Sequence, residues 1–205
     1  MTLIEVLLVL LVIAVTAAMI LPATVGPHKT PGISCSLNLR QIDLGFLLYA
    51  EDNHGKFAIR TSITNGGTME FLERNQTFPH YQKLSPYIPY TRIFVCPTDK
   101  NRPAPDSYQN LSDTNLSYFL NADVSTNTPA TSIMAGDRNL AADAHPVQHG
   151  TFTLRTSMNL AWTPELHRTM GVLAFADGHA EICRAANLNS IIQRQGLAAV
   201  RLSIP

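Results

Sequence analysis

No lysine or arginine precedes Lys29, and Glu5 is the only ionisable side chain between Met1 and Pro27. A secretory signal peptide opens with a positively charged segment, so that reading of the N-terminus fails. Net charge is also missing, with 15 basic against 15 acidic side chains, which argues against a basic nucleic-acid-binding face. Charge of either sign is scarce, at 15% of the 205 residues where roughly a quarter is usual. The sequence holds no Gly-rich phosphate loop, His-Glu-x-x-His helix or Gly-x-Ser-x-Gly elbow, and so none of the catalytic machinery these motifs build. The three cysteines, Cys35, Cys96 and Cys183, include no Cys-x-x-Cys-His, which excludes a c-type haem attachment.

What is present at the front is apolar. From Val6 to Leu21 the only polar side chain is Thr16, and Leu3, Ile4 and Ala23 extend the run. As a helix it measures about 32 Å, against about 30 Å for a hydrocarbon core. A plain membrane anchor accounts for the length but not for Glu5, whose carboxylate costs several kcal/mol in lipid unless it meets the interface, a proton or a cation. The helix dipole offers Glu5 a modest gain at a helix start. Pro22 removes one backbone hydrogen bond and predicts a kink or an end. With two Pro and two Gly between Ala23 and Gly32, a continuous helix gives way there to an extended link.

After the link, Ile33 to Asn53 reads as a helix. Ile33, Leu37, Ile42, Phe46 and Tyr49 recur at three-to-five-residue steps, Leu39, Leu44, Leu47 and Leu48 widen the stripe, and Asn53-His54-Gly55 stops it. That stripe reads as core.

The stretch Met1-Thr2-Leu3-Ile4-Glu5-Val6-Leu7-Leu8-Val9, with Pro22 further on, resembles the start of a processed type IV pilin or type II secretion pseudopilin. Met1 stands where that family usually has Phe, and the leader is absent, so Met1 is expected to be the processed and methylated N-terminus. A second set of blocks resembles a pilin-like family with an H-X9-DG signature. These are Cys35 to Ile42, Tyr49 to Phe57, Phe94-Val-Cys96-Pro-Thr-Asp99, Met134-Ala-Gly-Asp137-Arg138-Asn139, and His167 followed after nine residues by Asp177-Gly178. The resemblance spans most of the chain. It implies a pilin-like α+β fold in three parts: a filament-core or transmembrane helix over 1–25, a Pro/Gly linker over 26–32, and a globular head over 33–205.

The implied function is structural, not enzymatic: a subunit that polymerises through its N-terminal helix into an extracellular type IV pilus-like filament. The alternative is a pseudopilin forming a short periplasmic pseudopilus for type II secretion. Implied partners are other copies of the chain, a prepilin peptidase, an assembly ATPase and its inner-membrane platform, with the inner membrane as the location before assembly. In such a bundle the α-amino group of Met1 can meet Glu5 of a neighbour, a buried pair that sets register more than it adds stability. Met1, Glu5 and Pro22 are the residues expected to govern assembly.

Asp177-Gly178, between Val172 to Ala176 and His179 to Cys183, reads as a hairpin with a two-residue turn, which sets Phe175 opposite Ala180 and Leu173 opposite Ile182. Asp177 and Gly178 are thus structural, and His167 either caps or tethers the strand entry or is a binding group. An exported head allows one disulfide and one spare thiol. The family blocks make Cys35 and Cys96 the first pair, with Cys96 to Cys183 close behind. Asn75, Asn110 and Asn115 fit the N-glycosylation acceptor pattern. For Asp143, His145 and His149, Pro146 spoils the helical spacing that zinc needs. Asp99, Asp137 and Asp177 supply ligands of the type calcium takes, but no loop gathers them, and no metal or other cofactor is assigned. Short apolar runs at 117–120, 132–135 and 151–154 add antiparallel strands, and Leu188 to Gln195 a short helix. An antiparallel sheet laid across the helix from Ile33 completes the α+β expectation.

Overall fold

The computed structural model describes residues 2–24, 32–195 and 198–205, with the side chains of the first helix described to Ala18. The chain forms two units, Met1–Thr30 and Pro31–Pro205. The first contains α1 (Leu3–Thr24), an unbroken helix that continues through Pro22. Its first turn is closed by Glu5, whose carboxylate accepts the Thr2 N–H at 2.8 Å. Every described side chain of α1 is exposed. Among the described residues no helix is long and apolar enough to cross a membrane; the described side chains of α1 end at Ala18, so the apolar length they establish falls short of a span. Met1 and all of the 26–32 link except Gly32 lie outside the described residues.

The second unit is mixed helix and antiparallel sheet. It opens with α2 (Ile33–Asp52), entered from Gly32 and ended where Asn53 donates its backbone N–H to Tyr49 and Ala50. Short 3-10 turns and α3 (Phe78–Gln82) follow. Among the described residues nine strands then appear in chain order: β1 (Tyr118–Asn121), β2 (Ile133–Asp137), β3 (Leu140–Ala142), β4 (His145–Pro146), β5 (Gly150–Arg155), β6 (Leu160–Trp162), β7 (Met170–Phe175), β8 (Ala180–Arg184) and, after α4 (Ala185–Arg194), β9 (Ala199–Ile204). Six of them form one antiparallel sheet in the order β5-β9-β1-β2-β7-β8, and β4-β3-β6 form a second.

Strand alternation sends side chains to two cores. On one face Tyr118, Leu120, Val172 and Ala174 meet Leu39, Ile42 and Phe46 of α2. On the other, Phe119, Leu173 and Phe175 meet Leu188, Ile191 and Ile192 of α4. The α2 stripe is narrower than its sequence suggests. Cys35, Leu39, Ile42, Phe46 and Tyr49 are buried, whereas Ile33, Leu37, Leu44 and Leu48 face outward.

The hairpin register differs from expectation by one residue. Ala174 pairs with Ala180 and Leu173 with Glu181, and the Phe175 N–H donates to the His179 carbonyl. Three residues, Ala176 to Gly178, therefore close the turn, and of these only Gly178 has positive φ, at 86°. A three-residue loop with glycine in the left-handed position satisfies the strand twist as well as the two-residue turn does. The shift puts His179 on the same face as Phe175, where the two rings stack at 4.4 Å.

Candidate functional site

Three loops separated by tens of residues converge beside the N-terminal half of α2. Cys35, in the first turn of α2, is joined by a disulfide to Cys96, and Cys183 is free and buried. Cys96 sits in the Cys96-Pro97-Thr98-Asp99 turn, which the Asp99 N–H closes onto the Cys96 carbonyl. Against that sulfur lies His167, with Nε2 3.2 Å from Cys96 Sγ and 3.5 Å from Asp137 Oδ2, and Nδ1 3.3 Å from Thr98 Oγ1. A disulfide sulfur carries no proton and can only accept, from the Thr98 hydroxyl or from an Nε2–H of the ring. His167 thus tethers the entry to β7 to the Cys96 turn and the end of β2.

Asp137 closes β2 inside this cluster. Its Oδ2 accepts the Val172 N–H at 2.8 Å, while Oδ1 is buried with no partner. Burial pushes the carboxyl up to about 8, the Asp99 charge pushes the same way, and the Val172 N–H opposes both. Burial holds the His167 imidazole below its ordinary value. Both shifts favour a neutral pair in a dry site.

The neighbouring residues of the same segment carry the charge. Arg138 Nε and Nη2 grip Asp99 at 2.9 and 3.1 Å, and Nη1 reaches Glu165 at 2.8 Å. The Ser117 hydroxyl also donates to Asp99 at 2.8 Å. Asn139 Nδ2 donates to the Thr163 carbonyl at 2.7 Å, and the Thr163 N–H returns a bond to the Asn139 carbonyl at 2.8 Å. Gly136 precedes this pair because β2 is pressed there between Leu173 and Phe119, each within 2.7 Å of where a Cβ would stand. The Cys-Pro-x-Asp and Gly-Asp-Arg-Asn segments and His167 are therefore one interlocked cluster.

The Asp177-Gly178 turn lies elsewhere, over the middle of α2. Asp177 pairs with the His179 ring, and a Cβ at Gly178 would meet Leu47 at 3.8 Å. Beneath the turn Asp43 is fully buried with neither carboxyl oxygen hydrogen-bonded. Burial, then the nearby Asp177 charge, pushes it up to about 8.

Asp99, Asp137 and Asp177 do not gather into a calcium loop: Asp99 belongs to Arg138 and Asp177 to His179. Nor do the residues around Pro146 gather, since Asp143 accepts the Asn159 N–H and His149 bonds Asp113 at 3.1 Å, while His145 is exposed in β4. Asn75 is exposed, but its Oδ1 accepts the Thr151 N–H. Asn115 accepts from Ser112 and donates to the Pro103 carbonyl, which occupies both ends of its amide. Asn110 is exposed.

Sequence reasoning gave no role to Asp43, and placed Thr98 and Arg138 in family blocks and Ser117 in a strand run without assigning them a part in the cluster. Asp43 carried a signal, a carboxylate four residues after Leu39 and three before Phe46 on a face that reads as core. No family model, characterised protein or solved structure matches the chain.

Proposed function

We propose that this chain is a structural subunit of a pilin-like filament, with α1 held in the membrane before assembly and packed among its copies afterwards. The observation that carries the reading is α1 itself: from Leu3 to Ala18 a continuous helix has exposed apolar side chains on all sides, interrupted by Glu5 and Thr16 alone. A helix that is apolar all round needs lipid or other helices around it. Head-to-tail contacts between such helices do not close, and so generate a helical polymer. The resemblance of Met1 to Val9 to processed pilins supports the same reading, as does the outward apolar stripe on α2. The prepilin peptidase, assembly ATPase and platform belong to this proposal, with the filament placed outside the cell. The chain performs no chemistry in it.

Glu5 is the register residue in this scheme. Its carboxylate, which among the described residues accepts only the Thr2 N–H, meets the free α-amino group of a neighbouring copy. Electron microscopy of material sheared from cells, with the chain identified by mass spectrometry, tests the proposal. Long helical filaments of the wild type, absent from Glu5→Ala with the head still folded, are the expected result. Recovery of the chain only from membranes as a processed monomer turns the reading toward a secretion pseudopilus, and normal filaments from Glu5→Ala overturn the role of Glu5.

A further inference from the structure

Cys35, Cys96, Asp137 and His167 each bring a ligand-type atom to one point, all within 4.8 Å of one another. Their exposures are 1%, 0%, 0% and 2%. Two sulfurs, one imidazole nitrogen and one carboxylate oxygen are a donor set that zinc takes, and in a tetrahedral site such atoms stand about 3.3–3.8 Å apart. A second observation points the same way, since Asp137 Oδ1 is buried beside the cluster with no partner. The surrounding shell is also in place. Thr98 Oγ1 sits at His167 Nδ1, the Val172 N–H holds Asp137 Oδ2, and Arg138 and Asp99 neutralise each other alongside. Outer partners of this kind fix the orientation of metal ligands.

We propose that the Cys35–Cys96 pair, when reduced, becomes with His167 and Asp137 a zinc site, so that the head has two exclusive closures at one point, a disulfide or a bound divalent cation. A trialkylphosphine and one water convert the disulfide to two thiols and the phosphine oxide. The cation then displaces both thiol protons and the proton of the Asp137 carboxyl. In that site the neutral His167 ring holds its proton on Nδ1, where Thr98 Oγ1 accepts it, leaving Nε2 as ligand. Because protons are released, binding weakens as pH falls. The inference stands apart from the filament reading, and neither fails with the other.

The test uses the full chain in detergent in a Cys183→Ser background, reduced by phosphine without oxygen and titrated with zinc chloride against a zinc-binding dye. We expect one zinc per reduced chain and none on the oxidised chain. His167→Gln should weaken binding by more than about 100-fold, beyond the about 10–100-fold typical of an outer partner, and Cys96→Ser should abolish it. Zinc should also raise the melting temperature of the reduced chain and leave the oxidised chain unchanged. Absence of binding by the reduced chain overturns the proposal. So does binding that survives His167→Gln at full strength, which would mark a flexible dithiol holding the metal without the fold.

Discussion

Asp43 carries a carboxyl at zero exposure with both oxygens unpaired, and the Gly178 N–H that favours its charged form is already given to Phe175 at 2.8 Å. An acid whose folded value is raised, here from 3.8 to about 8, binds its proton more tightly folded than unfolded. Its contribution to stability is complete below the unfolded value and is lost as pH climbs through the folded one. Asp43→Asn removes the titration while keeping the shape. Urea unfolding of wild type and variant should therefore diverge between pH 4 and pH 8, the wild type losing ground as pH rises and the variant ahead at pH 8. Parallel curves would mean that Asp43 is hydrated after all. Asp137, also raised to about 8, adds its own slope to both proteins and cancels in the difference. Gly136 offers a separate check, since a methyl there must push Leu173 and the Phe119 ring aside. Gly136→Ala should cost about 1–3 kcal/mol in the same assay.

Among the elements, α2 does most to organise the head, because it packs on β7, β8 and β2 and is bound by Cys35 to Cys96, 61 positions away. A loop of that length gives about 4 kcal/mol in the chain-entropy account of disulfides. Reduction in metal-free buffer should lower the unfolding free energy of the head by about 2–4 kcal/mol, read from the urea midpoint, and a smaller loss would show that the dithiol cluster holds without the bond. Where an element is periodic or punctuated, its sequence announces it. The apolar steps of Ile33 to Tyr49 with the Asn53-His54-Gly55 stop mark α2, and Leu188 to Ile192 mark α4. Asp177-Gly178 places the hairpin but admits loops of two or three residues, so the register came out one residue away. The strands that went unread, β3, β4, β6 and β9, are three pieces of two or three residues and one C-terminal strand whose pairing between β1 and β5 is wholly long-range. The buried cluster has the same difficulty. Nothing in the spacing of Cys96, Asp137 and His167 says that they meet, since the sheet order, not the chain, brings them together.

At the scale of the whole molecule, the unexplained surface is the outward row on α2. Ile33, Leu37, Leu44 and Leu48 are 45%, 51%, 54% and 38% exposed, and their spacing of four, seven and four residues puts them on one side of the helix. A shallow groove beside the last two is lined by Tyr87, Pro89 and Tyr90. If the chain polymerises as proposed, this row is where the head of a neighbouring copy can add to the α1 contacts by burying apolar area, about 1–2 kcal/mol for each half-exposed leucine. Leu37→Glu with Leu44→Glu should leave the isolated head nearly as stable, because substitutions at exposed positions stay within about 0.5 kcal/mol. The same pair removes two of the four apolar side chains of the row and places carboxylates where apolar area was to be buried. Each 1.4 kcal/mol is tenfold in an association constant, so the subunit concentration needed for filaments should rise at least about tenfold. The measurement is filament yield by pelleting and electron microscopy across a series of expression levels, beside thermal melts of both proteins. Unchanged yield with unchanged melting would remove α2 from the subunit contact and leave α1 alone to hold the polymer.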